Sequence, residues 1–146
     1  MDKPSAFVDS SVFIAALLSS SGGSFYILNN LADKVNFKTN NYVLGEIDDV
    51  LDRKFAGQDN LYSTLFLLLS VAKVTVLPSP PKHLLAKLTK IISEKDTPIL
   101  ANALKNSDIL LTLDNEFFGE KITELANKRS LKIFKPKDLI EFLKQG

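Results

Sequence analysis

Apolar residues along the chain fall into two kinds of pattern: short continuous runs, and longer stretches in which apolar positions recur every three to four residues. The runs predict strands and the stretches predict amphipathic helices. We expect five strands, at residues 6–8, 35–37, 74–77, 108–113 and 131–134. We expect helices at residues 11–18, 25–31, 42–54, 61–71, 84–92, 99–104, 121–128 and 138–143.

Strands that alternate with helices favour an α/β fold with a parallel sheet covered on both faces. The run at 108–113, DILLTL, is mostly apolar rather than alternating, as expected of a strand buried on both sides. We therefore predict a three-layer α/β/α domain over residues 4–146 with a five-stranded parallel sheet. The alternation does not determine the strand order, for which we expect 3-2-1-4-5. No internal repeat or linker interrupts the domain.

Composition excludes several classes of protein. The 146 residues include no cysteine, which removes disulfide frameworks, thiolate metal sites and cysteine nucleophiles. No stretch approaches the roughly 20 apolar residues that a membrane-spanning helix needs, and the N-terminus lacks the layout of a signal peptide. We expect a soluble cytoplasmic protein with no membrane partner. The net charge of +1 shows no basic excess of the kind common in nucleic-acid binders.

Two aspartates follow predicted strands. Asp9 comes directly after the first strand and Asp114 directly after the fourth. The order 3-2-1-4-5 puts those strands side by side, so both carboxylates would lie where open α/β sheets bind their ligands. The alternative for Asp9 is a helix N-cap, although Ser10 or Ser11 could serve instead. For Asp114 it is an Asx-turn.

Two further acids belong to predicted helices. Glu46 lies at the edge of the apolar stripe of helix 42–54, away from the acids on its polar face. The alternative is a boundary glutamate whose carboxylate reaches solvent. Asp96 precedes Thr97-Pro98 at a helix start, where an N-cap is a strong alternative. One residue can both cap a helix and bind a metal.

These acids and their surroundings resemble the PIN-domain family, and more closely its toxin-like branch. The resemblance covers nearly the whole chain and rests on FVDSSVFIAALLSSSGG at 7–23, YVLGEIDDVL at 42–51, KDTPILANALKNSDILLTLDNEFF at 95–118 and LKIFKPKDLIEFL at 131–143. The acids also occur in the family's order. The family often has T-G-D-x-D-F where this chain has Thr112 to Phe117, so Leu113 replaces a glycine and Glu116 a shorter acid.

The resemblance implies a metal-dependent endoribonuclease that hydrolyses RNA, with an antitoxin protein as a further partner. Its metal ligands and catalytic residues would be Asp9, Glu46, Asp96 and Asp114, with Glu116 as a fifth candidate and Ser11 and Thr112 as supporting polar residues. An acid cluster without histidine or cysteine favours Mg²⁺ or Mn²⁺ over zinc. The single histidine, His83, is expected at the surface.

Other functions remain open at this point. A haloacid-dehalogenase phosphatase would need an acid at position 11, where Ser11 stands, and the acid and lysine pattern of a response-regulator receiver fits poorly. A non-catalytic PIN-fold RNA-binding or assembly module would be expected to lack one or more of the four acids. The run at 62–69 is apolar nearly all round a helix, which predicts a homodimer.

Overall fold

The central sheet has the predicted topology. In the computed structural model, which describes residues 2–145, five parallel strands lie in the order β3-β2-β1-β4-β5. The strands are β1 (Ser5–Val8), β2 (Asn36–Asn40), β3 (Thr75–Leu77), β4 (Ile109–Leu111) and β5 (Lys132–Phe134). Val8 pairs with Leu111, so β1 and β4 end side by side. The predicted fold class and strand order are confirmed.

Within residues 2–145, eight α-helices connect and cover the strands. They are α1 (Ser10–Leu18), α2 (Gly23–Asn30), α3 (Asn41–Lys54), α4 (Asp59–Val71), α5 (Lys82–Leu88), α6 (Thr97–Asn106), α7 (Glu120–Lys128) and α8 (Pro136–Gln145). Each corresponds to a predicted helix, with ends displaced by a few residues. Right-handed crossovers place α1 to α4 on one face and α5 to α7 on the other, because the connection from β3 to β4 runs back across the sheet. In agreement, α1 contacts α2, α3 and α4, whereas α6 packs on β1 and β4.

The core is centred on β1 and β4. Their inner residues are almost completely buried: Ala6, Phe7, Val8, Ile109, Leu110 and Leu111. A strand buried on both faces has no polar alternation, which explains why the apolar run of β4 was the clearest strand signal in the sequence.

Strand β4 is shorter than predicted. The expected run was 108–113, but the strand covers Ile109–Leu111. The Thr112 N–H still pairs with the Phe134 carbonyl at 3.0 Å, whereas the Leu113 N–H turns away to the Ser11 hydroxyl oxygen at 3.0 Å. The prediction that Asp114 directly ends the strand was therefore wrong, because two residues separate the strand from it.

Strand β2 extends three residues beyond its predicted end, through Lys38, Thr39 and Asn40. These polar residues fit a buried strand because their side chains are hydrogen-bonded. Thr39 Oγ1 donates to the Val8 carbonyl at 3.1 Å, and Asn40 Nδ2 donates to Asn102 Oδ1 at 2.7 Å. Asn40 Oδ1 also accepts the Val43 N–H at 2.8 Å, which makes Asn40 the N-cap of α3.

Within residues 2–145, no single helix is long and apolar enough to cross a membrane, and only the sharply bent pair α1 and α2 meets those criteria together.

Candidate metal and active site

Asp9 leaves the carboxyl end of β1 and is 3% exposed. Its Oδ1 accepts the Ser10 N–H at 2.8 Å, so Asp9 is the N-cap of α1. Its Oδ2 accepts two hydroxyl hydrogen bonds, from Ser11 Oγ at 2.8 Å and from Thr112 Oγ1 at 2.7 Å. Asp9 therefore caps a helix with one oxygen and faces the end of β4 with the other.

The Ser11 and Thr112 hydroxyls fasten the loop after β4 to this carboxylate. Each has a single hydrogen, which it gives to Asp9, and each accepts a backbone N–H with its lone pairs. Ser11 Oγ accepts from Leu113 and Thr112 Oγ1 accepts from Asp114, both at 3.0 Å. The polar residues singled out in the sequence thus set the position of the Asp114 backbone.

Asp114 begins a short 3₁₀ helix, Asn115–Phe118. Its Oδ1 accepts the Glu116 N–H at 3.0 Å, which is the turn geometry that the sequence offered as an alternative to a ligand role. The other oxygen is not used in that turn. Asp114 can therefore hold the turn and still present an oxygen to the cleft.

Three acids come close together. Asp96, Asp114 and Glu116 each offer a carboxylate oxygen, and these oxygens lie within 4.8 Å of one another. Asp96 is 4% exposed and occupies the N-cap position of α6, but its side chain makes no capping hydrogen bond. Instead it accepts from Ser93 Oγ at 2.8 Å, while the Ser93 N–H donates to Glu116 Oε1 at 2.9 Å. Ser93 therefore positions two of the three carboxylates.

Glu46 approaches from α3, half-buried beside Asp9. Ser10 Oγ lies 3.5 Å from Glu46 Oε1 and 3.4 Å from Asp9 Oδ1, so one hydroxyl stands between the two acids. Within the described part of the chain, Asp9 and Glu46 lie outside the group of three. The charge of Asp114 nevertheless acts on both of them.

The pKa values of these carboxylates are shifted by burial and by their neighbours. Burial raises the pKa of Glu46 to about 7, with a further contribution from Asp9. Burial, together with a hydrogen bond to Glu116, raises the pKa of Asp96 to about 7. The same hydrogen bond lowers the pKa of Glu116. Burial also raises the pKa of Asp9. A bound cation favours the ionised form of such buried, clustered carboxylates.

Solved structures with the same arrangement of elements are known. A chain from the crystal structure of VapBC2 from Rickettsia felis, bound to a DNA fragment from their promoter, superposes with a TM-score of 0.67 and 18% identity, over 90% of this chain and 98% of that one. PAE2754 from Pyrobaculum aerophilum gives a TM-score of 0.64 and 19% identity, over 98% of this chain and 91% of that one. This chain has a PIN-like fold.

The fold relationship confirms the resemblance noted in the sequence, at the level of fold. No protein-family model matches the sequence, and no curated protein sequence matches it either. The likeness to PIN proteins is therefore carried by the order of strands and helices and not by close sequence similarity.

The donor set of the site fits a hard divalent cation. Every candidate ligand is a carboxylate oxygen, the chain has no cysteine, and His83 lies exposed on α5. Mg²⁺ and Mn²⁺ prefer such oxygen ligands, whereas zinc sites favour histidine and cysteine. Asp96, Asp114 and Glu116 are the best placed residues to hold one ion.

The structure accommodates both departures from the usual PIN motif. Leu113 stands where a glycine is frequent, but it is not among the residues with positive φ, so its backbone conformation suits any side chain. Its side chain is 39% exposed and displaces nothing in the core. Glu116, the longer acid, reaches the group of three from the 3₁₀ helix.

Three residues near the acids were given no role at the site in the sequence analysis. Ser10 and Ser93 position carboxylates through the hydrogen bonds described above. Tyr42 lies beside them: burial raises its pKa, and the charges of Glu46, Asp96 and Glu94 raise it further. The spacing of Tyr42 and Glu46, four residues apart on one helix, was the available signal for Tyr42.

Proposed function

We propose that this protein is a metal-dependent endoribonuclease that hydrolyses phosphodiester bonds in RNA with Mg²⁺ or Mn²⁺. The proposal rests mainly on the convergence of five carboxylates, which come from β1, α3, α6 and the loop after β4. They meet at the carboxyl-terminal edge of the sheet, where the strand order reverses. That edge is the general ligand-binding position of open α/β sheets. The PIN-like fold supports the same assignment.

In this proposal, Asp96, Asp114 and Glu116 hold a divalent ion, and Asp9 and Glu46 complete the acidic wall beside it. A bound ion of this kind neutralises charge on the phosphate and lowers the pKa of a bound water. The raised pKa of Glu46, about 7 without a bound ion, makes it the candidate general base in this proposal. Ser11 and Thr112 act by holding Asp9 and the Asp114 backbone in place.

Cleavage of a single-stranded RNA by the purified protein tests the proposal. We expect cleavage with Mg²⁺ or Mn²⁺ and none in EDTA. Asp114→Asn removes a ligand charge at nearly constant volume and should lower kcat/KM by at least about 100-fold, the upper range found for loss of outer-shell metal partners. The matched control is Asp33→Asn, at an exposed turn position, which should cleave like the wild type.

Metal binding can be measured independently of cleavage. A cation that binds only the folded protein stabilises it by about 2.7 kcal/mol at 100 times Kd, so Mn²⁺ should raise the melting temperature of the wild type more than that of Asp114→Asn. Metal stabilisation and RNA binding without cleavage would favour the alternative, a non-catalytic PIN-fold RNA-binding or assembly module. Equal cleavage in EDTA by wild type and Asp114→Asn would contradict the proposed chemistry.

We further propose that the nuclease is the toxin of a toxin–antitoxin pair and has an antitoxin protein as its partner. The fold relationship to the VapBC2 structure supports this role. Expression of the wild type in a bacterial host should arrest growth, and expression of Asp114→Asn at the same level should not. A wild type that cleaves RNA without arresting growth would instead favour an RNA-processing role.

We also propose that the protein forms a homodimer through α4. That helix buries Leu61, Leu65 and Leu68 in the core, yet Phe66 and Leu67 on its other side are 65% and 61% exposed. Large apolar side chains grouped at the surface are typical of protein interfaces.

A further inference from the structure

A groove lies between α5, α6 and α7, the three helices that cover one face of the sheet. Its volume is about 560 Å³, and ligand-binding pockets commonly enclose about 300–1,000 Å³. The described residues that line it include none of the five carboxylates of the proposed active site. The groove is therefore a feature separate from the acid cluster.

The floor of the groove is aliphatic. Six apolar residues from the three helices and from the turn after α5 line it: Leu84, Leu88, Ile91, Ala101, Leu104 and Leu125. All of them except Ala101 are only half-buried, and α5 has no fully buried residue between Lys82 and Leu88. Exposed apolar surface within a polar rim is typical of a surface that binds another molecule.

The rim of the groove is positively charged. Lys87, Lys105 and Arg129 line it, each at the carboxyl-terminal end of a different helix, and all three are exposed. Among the described residues that line the groove, none is acidic. Within residues 2–145 the one ion pair joins Arg53 to Asp49, so the three rim cations have no carboxylate partner in that part of the chain.

A cation at the carboxyl-terminal end of a helix also has a structural use, because it offsets the negative end of the helix dipole. That effect requires no apolar surface nearby. Here the three cations border a floor of half-buried leucines, so one face combines uncovered apolar surface with unpaired positive charge. A partner that complements both properties must carry apolar side chains and several acids.

These features favour a peptide over other classes of ligand. Proteins bind single-stranded nucleic acid largely by stacking bases on aromatic side chains, and the described residues that line the groove include no aromatic residue. A ligand with a single carboxylate would leave rim cations unpaired. An amphipathic helix with apolar residues at i, i+3, i+4 and i+7 and acids beside them offers both kinds of contact along its length.

We propose that this groove docks an acidic amphipathic helix of a partner protein, whose leucine side chains enter the groove and whose carboxylates pair with Lys87, Lys105 and Arg129. The inference goes beyond the proposed nuclease activity and does not depend on it, because it concerns a second surface of the molecule.

Binding of labelled synthetic peptides, followed by fluorescence anisotropy in EDTA, tests the proposal. The peptides have about 14 residues, roughly four helical turns, with leucine at the apolar positions and glutamate, lysine or serine at the others. We expect the glutamate peptide to bind, the serine peptide to bind more weakly and the lysine peptide not to bind. Added salt should weaken binding of the glutamate peptide, because the paired charges lie at an exposed rim.

A charge reversal at the rim tests which residues pair with the peptide. The double variant Lys105→Glu and Arg129→Glu should bind the glutamate peptide roughly tenfold or more weakly, since each exposed pair contributes up to about fivefold. The same variant should gain binding of the lysine peptide. The matched control is Lys90→Glu with Lys128→Glu, which makes the same change in net charge at exposed positions outside the groove. The control should keep the preference of the wild type for the glutamate peptide.

A truncation in the floor tests the apolar contact. Leu88→Ala should weaken binding of the glutamate peptide by about fourfold for each methylene group that the peptide covers. Leu85→Ala is the matched control, because Leu85 is a half-buried leucine of the same helix that does not line the groove. Melting temperatures near that of the wild type show that both variants are folded.

Each other outcome would overturn the proposal. Absence of binding by all three peptides, equal binding of the glutamate and lysine peptides, or an unchanged affinity of the rim variant would do so. Displacement of the bound glutamate peptide by laurate at a similar affinity would assign the groove to a small amphipathic anion. If light scattering shows that the rim variant loses a dimer that the wild type and the control variant form, the groove is a contact between copies of this chain. RNA cleavage by the rim variant should equal that of the wild type, so failure of the docking proposal leaves the nuclease proposal standing.

Discussion

Asp9 and Asp96 occupy the same kind of backbone position, immediately before a helix, and use it differently. Asp9 caps α1 with one oxygen and accepts two hydroxyl hydrogen bonds with the other. Asp96 makes no capping hydrogen bond to α6, and its carboxylate faces Ser93 and Glu116 instead. Asp9 therefore both caps a helix and belongs to the proposed site, whereas the Asp96 side chain interacts only with the acid cluster and Ser93.

This difference makes Asp96→Asn a sharp test of the cluster. The substitution loses no capping hydrogen bond and removes a charge that lies next to Glu116 and Asp114. We expect the metal-free melting temperature to rise by a few degrees, since roughly 1 kcal/mol moves a domain of this size by about 2–8 °C, while RNA cleavage is lost. Thermal melts in EDTA with parallel cleavage assays check this, with Asp33→Asn as the control. An unchanged melting temperature with full activity would make Asp96 purely structural.

The pH dependence of that stability difference follows from the raised pKa of Asp96. Its pKa in the folded protein is about 7, against 3.8 for the unperturbed group, so its contribution to stability is present at acidic pH and is lost as pH rises through about 7. Without metal, Asp96→Asn should therefore match the wild type in melting temperature near pH 4 and exceed it increasingly up to pH 7–8. A difference that is independent of pH would contradict the raised pKa of Asp96.

Removal of the Thr112 hydroxyl should destabilise the protein. Thr112 is 0% exposed, donates to Asp9 and accepts the Asp114 N–H. Thr112→Val would leave that N–H and one lone pair of Asp9 without a partner. We therefore expect the free energy of unfolding to fall by about 1–3 kcal/mol and the rate of RNA cleavage to fall as well. Urea denaturation measures the free energy of unfolding. The control, Thr123→Val, removes an exposed hydroxyl that is hydrogen-bonded to the Gly119 carbonyl, and it should lower the free energy of unfolding much less. Equal losses of stability in the two variants would contradict the role of Thr112.

Among the elements, α3 connects the core to the site most directly. Val43, Ile47 and Leu51 bury one stripe of the helix, and Asn40 caps its start. With that face fixed, Glu46 and Tyr42 point toward the carboxyl ends of the strands. The helical periodicity of the sequence places Glu46 at the edge of the stripe, but the packing of α3 against α1 and α6 decides that this edge faces Asp9.

The proposed dimer contact lies on helix α4. A charge placed in an apolar interface is costly, so Phe66→Asp should convert the proposed dimer into a monomer and leave the fold intact, because Phe66 is 65% exposed. Light scattering at tens of micromolar measures the mass. Thr123→Asp, the same charge at an exposed position of α7, should remain dimeric. A monomeric wild type at that concentration would contradict the prediction.

At the scale of the whole molecule, the strand order brings distant parts of the chain together. Asp9 and Thr112 are 103 residues apart and joined by a 2.7 Å hydrogen bond, because β1 and β4 are neighbours. The crossover from β3 back to β4 also carries α5 and α6 over the far face. The proposed catalytic site is thus a product of one reversal in strand order.

The sequence alone determined the elements and their class. Each strand and helix is recognisable because its apolar period reflects which side is buried, a property of neighbouring residues. Asp9 and Asp114 were found by the same local reasoning, as acids beyond apolar strands. Polar residues within β2 were missed because local pattern does not show that Thr39 and Asn40 meet buried partners from β1 and α6.

Only the tertiary structure decided which acids converge and what each one does. The sequence offered four ligands and left Glu116 open, whereas the fold brings Glu116 to within 4.8 Å of Asp96 and Asp114 and sets Asp9 and Glu46 beside that group. It also decided that Asp96 does not cap its helix. The physical reason is that distances between side chains on different elements depend on how those elements pack, and no local period of the chain encodes packing across a sheet.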